Sequence, residues 1–184
     1  FARGADRASP TTERSHADRA RASAQEQHAQ SALAAKDSPA TRSRSAVTLV
    51  VDASLVVSAL VDGGPEGQWA EREVERAPLA APHLLMVEVT NILRRAARAR
   101  QITEDSAAMA HDDLLALRIE LFAYEPVAER VWELRGAVTA YDAWYVALAE
   151  SLDAPLATLD RKLSRAAGPR CKFRLPPSQR KSTR

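Results

Sequence analysis

A single cysteine, Cys171, stands in a chain of 184 residues, so no internal disulfide can staple this protein. One thiol suits a reducing compartment such as the cytoplasm, where disulfide frameworks are rare. Long apolar runs are missing as well. Nothing approaches the roughly 18 consecutive apolar residues that a membrane-spanning helix requires, and the first 46 residues hold no apolar stretch of a secretory signal. Glycine is scarce, at six residues, and none of them builds a phosphate-cradling loop. There is no G-x-S-x-G nucleophile elbow and no H-E-x-x-H zinc motif. The four histidines do not cluster: His16 and His28 lie in a polar N-terminal arm, while His83 and His111 read as a loop residue and a residue on a helix's polar face. These absences argue against serine-hydrolase, zinc-protease and P-loop chemistry. No internal repeat is visible.

What is present divides into three parts. Residues 1–46 are dominated by Ala, Arg, Ser, Gln and Thr, with only Phe1 and Leu33 as large apolar side chains. Such a stretch cannot bury enough surface to offset its ordering entropy, so it reads as a disordered extension with transient helix around 17–35. The chain opens at Phe1 rather than Met, which leaves a fragment, a processed form and an over-extended reading of the gene as open alternatives. Residues 47–176 have the composition of one domain with a single core, and residues 177–184 form a basic flexible tail. The net charge of +2 hides an uneven distribution. Residues 1–46 carry eight basic and five acidic side chains, residues 170–184 carry six basic and none acidic, and the body between carries twelve basic against nineteen acidic. So acidic a body does not read as a broad nucleic-acid-binding surface.

Within the body, strand-like and helical segments alternate, which predicts an α/β sandwich. Strands are expected at 47–51, 119–123, 155–159 and 171–175. Helices are expected near 54–61, 66–76, 84–99, 104–118, 127–134, 142–151 and 160–167.

Four acids occupy informative positions in that pattern. Asp52 ends the β-branched run Val47–Val51 and Asp160 ends the run Pro155–Leu159. In open α/β sheets the ligand crevice lies beyond the carboxyl ends of the strands, so acids at those two places can face each other. Asp142 opens a helical stretch. Each aspartate is equally readable as a helix N-cap. Glu88 differs, because apolar positions 85, 89, 92 and 96 mark one face of a helix and Glu88 falls on that stripe. A carboxylate aimed at a core is tolerated when it is paired or coordinates metal, and an ion pair with Arg95 is the plainer alternative. Four converging carboxylates would require a cation, and hard oxygen ligands suit Mg²⁺.

The strings VVDAS at 50–54, VEVTNILRR at 87–95, TAYDAWYVALAE at 139–150 and ATLDRKL at 157–163 carry those four acids in order, separated by 36, 54 and 18 positions. Together they resemble a PIN-domain ribonuclease, and within that family the VapC toxins of toxin–antitoxin pairs. The resemblance covers residues 47 to about 176. It implies a three-layer sandwich, a mainly parallel central sheet with helices on both sides and all four acids in one cleft. It further implies that Asp52, Glu88, Asp142 and Asp160 bind Mg²⁺ or Mn²⁺ and that the metal drives hydrolysis of a phosphodiester in a structured RNA, a transfer RNA or a ribosomal RNA. A homodimer and a cognate VapB-like antitoxin lying in a groove beside the cleft are implied partners. Leu55, Val56, Leu60 and Trp69 are candidates to line that groove, with ordinary core as the better reading of each.

Supporting residues follow from position. Ser54 and Thr158 each lie two residues from an aspartate and can orient it, although capping or strand packing explains them almost as well. Asn91 stands three residues after Glu88 on nearly the same helix face. Arg161, Lys162 and Arg165 follow Asp160 and are candidates for RNA phosphates. Tyr141, Trp144 and Tyr145 flank Asp142 and can stack on unpaired bases, with core packing the better reading of Trp144 and Tyr145. Two alternatives to the toxin stay open: a PIN nuclease of RNA maturation without an antitoxin, and a non-catalytic binding module whose acids are caps and salt bridges.

Overall fold

The computed structural model describes residues 47–177. The expected disordered extension and nearly all of the basic tail lie outside the described residues. Five short strands form one sheet in the order β3-β2-β1-β4-β5, and every neighbouring pair is parallel. They are β1 (Leu49–Val51), β2 (Leu79–Pro82), β3 (Ile119–Phe122), β4 (Leu156–Ala157) and β5 (Phe173–Arg174). Parallel strands need crossover connections, and six helices supply most of them: α1 (Ala53–Val61), α2 (Pro65–Arg76), α3 (Leu84–Arg98), α4 (Glu104–Ala116), α5 (Ala128–Glu133) and α6 (Ala140–Ser151). Helices α1 to α4 pack on one another, α5 packs on α6, and α6 lies against β1 and β2. The strongly amphipathic α3 buries Leu85, Val89, Leu93 and Ala97. With β1, β2 and β4 wholly buried, the core is the central sheet and the inner faces of these helices. Among the described residues no helix is long and apolar enough to cross a membrane.

Three local features depart from the sequence reading. Strand β2 was not anticipated. Its sequence LAAP contains no β-branched residue and is flanked or ended by prolines, so it lacks the usual strand signals. Burial decides it instead: Leu79 and Ala80 pair with Leu49 and Val50 of β1, and the amide of His83 bonds Phe122 just beyond Pro82. The helix expected at 160–167 shrinks to one 3₁₀ turn at Leu163–Arg165. Helix α6 begins at Ala140, capped by Thr139, so Asp142 lies inside its first turn rather than ahead of it.

Candidate active site

Beyond the C-terminal ends of β1 and β4 the chain turns sharply, and the residues placed there are Asp52 and Thr158. Asp52 is only 8 % exposed. Its Oδ1 accepts from the Leu55 amide at 2.9 Å, which makes it the N-cap of α1, and from Ser54 Oγ at 2.7 Å. Its Oδ2 accepts from the hydroxyl of Thr158. The Thr158 hydroxyl is fully buried and also receives the Asp160 amide at 2.9 Å, while Ser54 Oγ receives the Leu159 amide at 3.0 Å. Two hydroxyls thus stitch β1 to β4 and hold Asp52 between them. Capping and site-building are the same contact here, so the two readings of Asp52, Ser54 and Thr158 are not in competition.

Glu88 comes from α3. The buried stripe of that helix runs through Leu85, Val89, Leu93 and Ala97, with Ile92 and Ala96 only half-buried. The stripe expected through 92 and 96 is therefore rotated, and Glu88 sits half-buried at its edge rather than pointing into the core. No ion pair joins Glu88 to Arg95 among the described residues; its Oε2 instead accepts from the Tyr145 hydroxyl at 2.5 Å. Tyr145 packs its ring in the core at 3 % exposure and lifts its hydroxyl into the acidic group. Helical spacing identified the ring's burial and gave no sign of the hydroxyl's partner, which lies 57 positions away.

Asp142 faces the same place from the first turn of α6. Thr139 and Asp142 bond reciprocally: the Asp142 amide donates to Thr139 Oγ1 at 3.2 Å, and that hydroxyl donates to Asp142 Oδ2 at 2.7 Å. Asp160 is exposed, and its Oδ1 takes the amides of Lys162 at 2.7 Å and Leu163 at 3.1 Å, the cap geometry of the following turn. Asp142 and Asp160 line one cavity of about 520 Å³ together with Arg135, Thr139 and Lys162.

The electrostatics tie three of these acids together. Burial pushes the Asp52 carboxyl above the ordinary range despite three hydrogen bonds that pull it down, and the negative charge of Asp142 pushes the same way. Glu88 is raised by burial and by Asp142 as well. Tyr145 is held far above the usual phenol range by burial, by its bond to Glu88 and by the charges of Asp52 and Asp142. Asp52, Glu88, Asp142 and Tyr145 therefore form one cluster, to which Asp160 is joined through the cavity it shares with Asp142. Among the described residues no group of three or more acid, histidine or cysteine side chains stands close enough together to hold a metal ion as placed.

The donor chemistry nevertheless suits a hard cation. Glu88, Asp142 and Asp160 each have one oxygen anchored by a hydroxyl or amide, and the other has no partner among the described residues. Asp52 accepts three bonds, which leaves about one of its roughly four lone-pair sites open. Carboxylates fixed on one side and free on the other are what an ion such as Mg²⁺ requires when water and phosphate complete its shell. A positive charge there would also offset the burial and the Asp142 charge that raise Asp52 and Glu88.

The other candidates are placed as follows. Asn91 is exposed and accepts from the Arg94 guanidinium at 2.9 and 3.2 Å, lining with Glu88 and Tyr141 a second cavity of about 680 Å³. Arg161 donates to the Pro176 carbonyl at 2.8 Å and so braces the C-terminal segment. Lys162 lies on the cleft, and Arg165 is exposed. Leu55, Val56 and Trp69 are core, and Leu60 is half-buried, so they do not form a groove.

Comparison with known proteins identifies the family. The PIN-domain family profile matches residues 49–169. Ribonuclease VapC1 of Mycobacterium tuberculosis is 42 % identical over 127 residues, which is 68 % of this chain and 96 % of that protein. Among solved structures, PAE2754 from Pyrobaculum aerophilum superposes with a TM-score of 0.52 at 26 % identity, covering 69 % of this chain and 83 % of that one. VapBC2 from Rickettsia felis, bound to a DNA fragment from its promoter, shares the fold with a TM-score of 0.50 at 14 % identity, over 70 % of this chain and 98 % of that one. The family profile over residues 49–169 and the 42 % identity to ribonuclease VapC1, on a parallel five-stranded sheet, make this chain a member of the PIN-domain family and, within it, of the VapC ribonucleases.

Proposed function

We propose that the chain is a metal-dependent endoribonuclease toxin in which Asp52, Glu88, Asp142 and Asp160 hold Mg²⁺ or Mn²⁺ and direct cleavage of a phosphodiester in a structured RNA. The observation that carries this reading is the cluster of Asp52, Glu88 and Asp142, three acids kept together with no ion pair to any of them among the described residues. When bound, such an ion lowers the pKa of water and stabilises the charge that builds up in an in-line displacement. The protein's own part is placement. Ser54 and Thr158 orient Asp52, Tyr145 orients Glu88, Thr139 orients Asp142, and the Lys162 and Leu163 amides orient Asp160. Lys162, at the cleft, is a basic residue placed to meet substrate phosphate.

A VapB-like antitoxin is the partner this reading implies, and the VapBC complex among the structural relatives supports it. The cavity of about 680 Å³ beside Glu88 suits such a segment, since Leu84, Met86, Val87 and Tyr141 give it apolar walls and Arg94 and Arg95 a basic rim. Homodimerisation belongs to the same reading, and the exposed Met109 and Leu115 of α4 favour it. The compartment implied is the cytoplasm.

The test is RNA cleavage with Mg²⁺ or Mn²⁺ by the native chain and by Asp52→Asn and Asp142→Asn, with sequencing of RNA ends after induced expression to identify the target. Loss of cutting in folded variants is expected, whereas equal activity in all three proteins would remove the acids from the chemistry. An adjoining antitoxin gene separates a toxin from a nuclease of RNA maturation.

A further inference from the structure

The acidic cleft has a flat, cationic feature at its rim that the acids do not explain. Trp132, in the last turn of α5, is 68 % exposed. Its neighbours Val131 and Leu134 are buried at 2 % each and anchor the segment, so the indole is turned outward by the same packing that fixes its backbone. The guanidinium carbon of Arg135 lies 4.7 Å from the centre of the indole ring, and Arg135 also donates to the Trp132 carbonyl at 2.8 Å. Arg135 forms no ion pair among the described residues, and it lines the cavity that holds Asp142, Asp160 and Lys162. An exposed indole with a guanidinium over its ring, the guanidinium reaching the cleft and in no ion pair among the described residues, matches how unpaired bases are received: the base on a flat π or guanidinium plane, its phosphate on the cation. A tryptophan serving stability alone would be expected to bury its ring.

We propose that Trp132 and Arg135 form a stacking platform for an unpaired base of the RNA beside the phosphate that is cut. The platform rests on the ribonuclease reading and names where that enzyme grips its substrate. It selects single-stranded loops over duplex RNA, because only a splayed base can reach the ring.

The experiment uses the full chain carrying Asp52→Asn, so that RNA stays intact, in Mg²⁺ buffer. Binding of a fluorescein-labelled single-stranded uridine hexamer is followed by anisotropy at several salt concentrations. Trp132→Ala is expected to weaken binding by about five- to a hundredfold, the range for loss of one base–aromatic stack, with Trp132→Phe retaining most of the affinity. Arg135→Ala is expected to weaken it and to reduce the salt dependence by about one phosphate contact. Thermal midpoints of these surface variants should match the parent. Equal hexamer affinity in the parent, Trp132→Ala and Trp132→Phe proteins overturns the platform while leaving the ribonuclease reading in place. Failure of both the native chain and the Asp52→Asn parent to bind any RNA would instead count against the ribonuclease reading, and the platform would fall with it.

Discussion

Helix α6 carries an acid near each end, and the two obey opposite rules. At its C-terminal end Glu150 receives Arg130 Nε at 2.7 Å, Arg130 Nη2 at 3.2 Å and the Arg170 amide at 2.6 Å. Arg130 also binds Glu133 at 2.8 Å and the Gly168 carbonyl at 2.8 Å, so one guanidinium ties α5, α6 and the chain before β5 together. Burial by itself would raise the Glu150 carboxyl, but Arg130 and Arg170 together pull it below the ordinary range. At the N-terminal end Asp142 faces Asp52 and Glu88 with no ion pair to any of the three among the described residues, and burial together with the Asp142 charge pushes both of those acids upward. A charge that serves stability is matched within the fold. A charge that serves function is left for something outside it.

Four measurements sharpen or break that contrast. The largest effect is expected at the unmatched end. Asp52→Asn should lower RNA cleavage by about a hundredfold or more, the scale of removing one preorganised electrostatic group, while the metal-free thermal midpoint stays level or rises because a buried charge has gone. A fall in both would mean that Asp52 is chiefly structural. Next comes Tyr145→Phe, which keeps the core ring and removes only the bond to Glu88. Calorimetry should show Mn²⁺ affinity reduced about tenfold to a hundredfold, as for other groups that orient a metal ligand. Unchanged affinity would release Tyr145 from the site.

At the matched end Arg130→Ala should cost about 2 kcal/mol of stability, because it leaves Glu150 partly buried and short of a partner. Urea titration reads this directly, and activity per folded molecule should not change. The smallest effect is in the pH profile without metal. The carboxyls of Asp52 and Glu88 bind protons more tightly folded than unfolded, so their charged forms cost stability at neutral pH. That cost should be relieved as pH falls through their raised values toward the ordinary carboxylate range. Glu150 has the opposite sign: its stabilisation is present above the unfolded value and is lost as pH falls through the lowered one. Comparing native protein with Asp52→Asn between neutral and mildly acidic pH isolates the first term, and identical profiles would show that Asp52 is not strained.

Much of this was legible in sequence because it is local. Strand β1 followed by Asp52 is a β-branched run ended by a cap residue, and α3 declares itself by its apolar period. Strand β2 was illegible because alanine and proline carry no strand signal. It exists through Leu79 and Ala80 filling the space beside β1. The helix expected after Asp160 fails because its carboxylate closes a tight turn on Lys162 and Leu163, and the chain leaves that turn at Ala166 in extended conformation.

Residue type and order along the chain were enough to settle which acids exist, that Asp52 and Asp160 come after buried strands and that the fold alternates strand and helix. They pointed to Ser54 beside Asp52 but could not say which hydroxyls reach an acid from far along the chain. Thr158 meets Asp52 across 106 positions and Tyr145 meets Glu88 across 57, contacts that arise only when β4 is laid beside β1 and α6 is packed across the sheet. Periodicity reports which side of an element is buried and is silent about what waits there, because distant segments meet through the packing of whole layers.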